Sequence, residues 1–101
     1  MTVEVHVTKD GLAISGELDI AAADEFWSSA ALAVNPAHEV VLDIAELTFI
    51  DSSGLRALIR FVEEVCPHGV VLRSPRDIVL RIIELLQIET LAAIRIERPD
   101  A

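Results

Sequence analysis

Asp51-Ser52-Ser53-Gly54-Leu55 is the segment of this chain whose residue types and spacing best suit chemistry. It lies where an apolar stretch, Leu47 to Ile50, gives way to residues of helical periodicity. A helix starting there leaves its first backbone N–H groups without intrahelical partners and presents the positive end of its dipole. Asp and Ser side chains are the ones best suited to accept from those donors, so an ordinary helix cap accounts for these residues. The same donors and dipole would also favour a phosphate carried by a serine at that place. Such a modification adds roughly two negative charges and bulk without unfolding the domain. Spacing alone does not separate Ser52 from Ser53 as the acceptor.

Other chemistry is poorly supplied. Either serine could act as a nucleophile with His6, His38 or His68 as base. Yet no Gly-x-Ser-x-Gly elbow surrounds them, and the histidines sit singly in unrelated segments. No catalytic residue and no enzymatic activity are expected. A phosphate-binding Gly-x-x-x-x-Gly-Lys loop is absent from a sequence with only 4 glycines, so no nucleotide cofactor is expected either. Cys66, the single cysteine, can form neither an internal disulfide nor a cysteine-based metal cluster. It reads as a small buried apolar residue, and no metal is expected.

The elements that must position this segment follow from periodicity. Val3, Val5 and Val7 alternate with Glu4, His6 and Thr8, the mark of a strand with one wet face. Lys9-Asp10-Gly11 is turn chemistry, and Leu12 and Ile14 resume the alternation, which predicts a hairpin. Gly16-Glu17-Leu18-Asp19 breaks the pattern and leads into a helix predicted from Ile20 to Val34, ending before Asn35-Pro36. Trp27 reads as a packing residue. Val40 to Ile44 is nearly continuous in apolarity, which fits a central strand covered on both faces, with Asp43 at its end. Leu47 to Ile50 continues toward the site.

After the site, Leu55, Leu58, Ile59, Val62 and Cys66 share one helix face, and Pro67-His68-Gly69 stops that helix. Val70-Val71-Leu72 is a short buried strand. Ser74-Pro75-Arg76-Asp77 predicts the next helix start: Ser74 as cap, Pro75 in the first turn, Asp77 favoured by the dipole. Val79, Ile82, Ile83 and Leu86 give that helix a buried face. Leu91 to Ile96 can form a last strand, with Arg98 to Ala101 a frayed tail. The expected fold is α/β, a single domain over residues 1–101 in the order β-β-α-β-α-β-α-β. Its sheet is mixed, an antiparallel hairpin followed by mainly parallel strands flanked by helices.

Composition bounds the partners. A net charge of −9 opposes docking on nucleic acid or on anionic membranes. It suits a basic protein surface, and it also keeps an aliphatic-rich domain soluble. No export signal shows, and no stretch approaches the ~20 apolar residues of a membrane span, so a cytoplasmic location without membrane insertion is expected.

Gly16-Glu17-Leu18-Asp19, then Val41-Leu42-Asp43, then Phe49-Ile50-Asp51-Ser52-Ser53-Gly54-Leu55 together resemble the STAS family of anti-sigma factor antagonists. The resemblance covers nearly the whole chain, in order. In that family the first serine after the aspartate is phosphorylated by an anti-sigma factor with kinase activity, which implies Ser52 here. It further implies that Asp19, Asp51, Ser53, Gly54 and Leu55 line or support a partner-binding surface. A phosphatase acting on Ser52 would reset the switch. Arg56 stands where some relatives have Gly, so the neighbouring surface is tuned for a particular partner. Family members also often carry Gly near the end of the third helix, where this chain has Gln87. STAS domains serve too as accessory subunits of lipid-transport complexes, so the resemblance also allows a constitutive binding subunit that needs no phosphorylation.

Overall fold

The alternation at the start of the chain forms the expected hairpin. In the computed structural model, which describes residues 3–90 and 92–98, β1 (Val3–Val7) pairs antiparallel with β2 (Gly11–Leu18). Lys9 and Asp10 make the turn, with the Thr8 N–H donating to the Gly11 carbonyl at 2.9 Å. Gly11 is there for another reason: a Cβ on it would lie 1.9 Å from the Val41 carbonyl oxygen of the next strand.

The remaining elements are α1 (Ala23–Ala33), β3 (Val40–Asp43), β4 (Leu47–Ile50), α2 (Ser52–Val65), β5 (Val70–Arg73), α3 (Asp77–Leu85), a short 3-10 turn (Ile88–Thr90) and β6 (Ile94–Glu97). The sheet runs β1-β2-β3-β5-β6, with β4 paired to β2. Every pairing after the hairpin is parallel.

The expected order therefore gains a strand. β2 is long enough to serve two partners in succession, pairing with β3 through Gly11–Ala13 and with β4 through Gly16–Leu18. Gly16, at φ 97°, opposes Leu47 while Glu17 opposes Phe49, so the extra residue of this register shift is Thr48 of β4, and β2 continues through Leu18 rather than ending. The chain on the other side jogs to match. The Asp43 carboxylate accepts the Ala45 N–H at 3.0 Å, and the Glu46 carbonyl accepts from Gly16 at 3.1 Å.

Several local expectations shift. β3 alternates, with Val40 and Leu42 buried but Val41 and Asp43 half-buried, so it is not covered on both faces. The uninterrupted buried run is Val70-Val71-Leu72 of β5. α1 begins at Ala23 instead of Ile20, because Asp19 closes a separate turn by accepting from the Ala22 N–H at 3.0 Å. Ser74 does not cap α3: it holds φ 58° and its N–H donates to the Glu97 carbonyl of β6. Leu86 lies beyond α3 and is 49% exposed, so the buried face of that helix is Val79 and Ile83 with Ile82 half-buried. In the last strand only Ile94–Glu97 pairs, and Leu91 lies outside the described residues. Of the expected tail, Arg98 is held by an ion pair with Glu84, and residues 99–101 lie outside the described residues.

The core sits between the sheet and the helices. Leu12, Ile14 and Leu18 from β2 meet Phe26 of α1 and Leu58 and Phe61 of α2, all essentially without exposure. Phe26 and Phe61 pack edge to face with centroids 5.7 Å apart, a geometry worth roughly 0.5–1.5 kcal/mol beyond burial. Phe61 completes the i, i+3, i+4 spacing of α2 with Leu58 and Val62. The Arg73 guanidinium bridges Asp10 at 3.1 Å and Glu97 at 2.9 Å. This links the hairpin turn to the last strand across β3.

Candidate functional site

Ile50 is buried at the end of β4, which fixes where the next residue emerges. Asp51 is extended there, at φ −113° and ψ −176°, and caps α2: its Oδ1 accepts the Gly54 N–H at 2.8 Å. Its Oδ2 accepts the Ile20 N–H at 3.2 Å, so one carboxylate joins the start of α2 to the turn that follows β2. The Asp51 backbone adds two bonds, its N–H donating to Leu18 at 3.3 Å and its carbonyl accepting from Leu55 at 2.9 Å. Asp19 holds the neighbouring turn through Ala22, and that turn presents Ile20 at 76% exposure.

Gly54 is fixed by close approach. A Cβ at this position would lie 1.9 Å from the Leu18 carbonyl oxygen and 2.7 Å from its carbon. The first turn of α2 therefore rests directly on the end of β2, and no larger residue fits without moving backbone. Ser53 is half-buried beside it, while Ser52 points outward and is exposed.

Ser52 lines a shallow groove of about 270 Å³ with Leu55, Arg56, Ile59, Leu86 and Ile88. Leu55 is nearly buried and forms part of its floor. The last two residues come from beyond α3, where Gln87 at φ 51° turns the chain back. The site thus gathers Ser52, Leu55 and Arg56 on one surface, whereas Asp19, Asp51 and Gly54 hold the backbone beneath it. Residues 1–95 match the family profile described as "Mlab, STAS domain". The chain belongs to the STAS-domain family.

Two solved structures share the fold. One is described as an anti-sigma-factor antagonist (STAS) domain protein from Planctomyces limnophilus. It aligns at 17% identity with a TM-score of 0.68, over 98% of this chain and 92% of that one. The other is the anti-sigma factor antagonist SpoIIAA in its unphosphorylated form, at 22% identity and a TM-score of 0.57, over 98% and 88%. No curated protein matches in sequence.

In this STAS domain the groove residues Leu86 and Ile88 escaped the sequence reading. Leu86 falls on the helical spacing of Val79 and Ile83, so only the end of α3 at Leu85 reveals its outward position. The residue type at position 87 is the signal that could have found it: Gln87 stands where the resemblance implies a Gly, and it holds φ 51°.

The histidines are not brought to the serines. His6 lies on β1 beside Glu4, His38 between α1 and β3, and His68 after α2, and none hydrogen-bonds Ser52 or Ser53. Trp27 is half-buried against the core, with the Arg60 guanidinium 4.9 Å from its ring centroid. That contact fits its packing role. Burial pushes the Cys66 thiol up to about 11, so it stays protonated at neutral pH. Among the described residues, no group of three or more His, Cys, Asp or Glu side chains is placed to hold a metal. No helix among them is long and apolar enough to cross a membrane.

Proposed function

We propose that this STAS domain is an anti-sigma factor antagonist. It binds an anti-sigma factor with serine-kinase activity through the start of α2 and the adjoining groove, and so frees a sigma factor. The observation that carries this reading is the position of Ser52. Its hydroxyl is exposed on the groove, while Asp51 and Gly54 on either side are engaged in holding the backbone. A group added to Ser52 changes the surface and leaves the supports in place.

Phosphorylation at Ser52 is the off-switch in this reading. The hydroxyl oxygen attacks the γ-phosphorus of an ATP held by the kinase partner. An O–P bond forms as the bridging P–O bond breaks, ADP leaves, and the hydroxyl proton passes to a base of the partner. The product carries roughly two added negative charges on the docking surface, which repel partner carboxylates and resist burial against apolar groups. A phosphatase reverses it. The chain contributes no catalysis, needs no cofactor, and acts in the cytoplasm. Two structures of the same fold, described as anti-sigma factor antagonists, support the reading, and one of them is described as an unphosphorylated form.

Incubating the chain with candidate anti-sigma kinases and ATP, followed by mass spectrometry, tests it. A single phosphate on Ser52 with release of the partner is expected. Ser52→Ala should keep binding and Ser52→Asp should lose it. Exclusive modification elsewhere, or equal binding by both variants, overturns the assignment. The family profile is named for Mlab, and an unmodified Ser52 with undiminished binding to a lipid-transport ATPase would favour a constitutive subunit of such a complex.

A further inference from the structure

In its own helix turn a phosphate on Ser52 would find only the backbone N–H groups of Ser52 and Ser53 without an intrahelical partner. The Gly54 N–H is already taken by the Asp51 carboxylate and the Leu55 N–H by the Asp51 carbonyl. The Asp51 carboxylate is also a nearby negative charge, and the chain as a whole stands at −9. A cation beside it would offset that charge and hold the phosphate more firmly.

Arg56 is placed to supply one. It lies four residues after Ser52 on α2 and lines the same groove. Long side chains on a helix lean back toward its N-terminus, so the Arg56 side chain projects over the turn that carries Ser52. An anion four residues before a cation is the favourable order on a helix. The charge distribution singles this residue out. Arg60, Arg73, Arg76, Arg95 and Arg98 each hold a carboxylate, whereas Arg56 and Arg81 hold none among the described residues. Arg60, one helical step beyond, turns the other way to Glu64.

We infer that Arg56 is the clamp for a phosphate on Ser52: an exposed, unpaired guanidinium on the docking groove that closes on the modified serine. The inference rests on Ser52 being the modified residue, and it deepens that reading. The planar guanidinium can take two phosphate oxygens at once. One modification then acts twice, adding negative charge to the groove and withdrawing the cation that the unmodified surface offers to a partner carboxylate.

The test uses the full chain with phosphoserine incorporated at position 52 during synthesis, and no kinase. Phosphorus NMR follows the second ionisation of the phosphate, ordinarily near pH 6, in the parent and in the Arg56→Gln and Arg81→Gln variants. The acid constant is expected to be roughly threefold to fivefold larger in the parent than in Arg56→Gln, because the guanidinium favours the dianion. Arg81→Gln should match the parent. Equal constants in the parent and Arg56→Gln overturn the clamp. An equal change from Arg81→Gln also overturns it, by assigning the effect to overall charge. A Ser52 that no kinase modifies would defeat the proposed switch while leaving this titration intact, so the two failures are distinguishable.

Discussion

The helices α2 and α3 both follow a parallel strand, β4 and β5, and both carry serine and an acidic residue near the start, yet they begin in opposite ways. At α2 the Asp51 carboxylate caps the helix and the serine beside it is left exposed. At α3 the capping position is Arg76, whose side chain makes no cap bond. It donates to the Ala45 carbonyl at 2.8 Å and pairs with Glu46 at 3.5 Å. The nearby Ser74 is held at φ 58° by its bond to β6. The first start is closed by its own residues and presents a hydroxyl. The second is braced from outside and presents none in a comparable place. At α2 the serine is left free of capping because the neighbouring carboxylate takes that task.

The strongest way to break that comparison is Gly54→Ala. Forcing a Cβ within 1.9 Å of a backbone oxygen should cost about 3 kcal/mol, read as a lower urea midpoint. A midpoint within error of the parent would mean the α2 start is not built on close contact with β2.

Alkaline pH sets the window in which the two starts can be compared. The Cys66 thiol, at the far end of α2, is pushed up to about 11 from 9.0 by burial. Below pH 9 the folded and unfolded chains both keep this proton. Above it the unfolded thiol ionises first, so stability present below pH 9 is lost as pH climbs toward 11. The loss should reach roughly 2–3 kcal/mol. Cys66→Ala should abolish this slope in urea titrations across that range, whatever its own effect on stability at neutral pH.

Within that window, Asp51→Ala should cost about 2 kcal/mol, the upper end for a cap, because the carboxylate serves two turns. Ser74→Ala should change stability by less than about 0.5 kcal/mol, since its side chain caps nothing. Equal losses from the two would erase the distinction between the starts. One effect smaller than that of Asp51→Ala runs the other way: Gln87→Gly should raise stability by about 1 kcal/mol by relieving a positive φ. Thermal or urea unfolding of the single variant measures it.

Why one start was legible in the sequence and the other was not follows from the range of the forces involved. Asp51, Ser52 and Gly54 act on partners within a few residues or on the adjoining end of β2, so residue type and spacing were enough to mark a helix start. The choice of Ser52 over Ser53 came from family resemblance alone; the structure adds that Ser52 is exposed and Ser53 half-buried. Ser74 had the right type, but its backbone is set by Glu97 of β6, which no local pattern reveals. The extra strand was hidden similarly, since β4 exists because β2 changes partner at Gly16. The opening hairpin and the buried stripe of α2 were plain because strand and helix periods report directly on burial.

Trp27 gives the molecule a built-in optical reporter. It is the only tryptophan, the chain has no tyrosine, and its ring lies under Arg60 instead of in the groove. Native emission therefore follows the packing of α1 against α2. The docking of that helix pair can be followed through it without any added label.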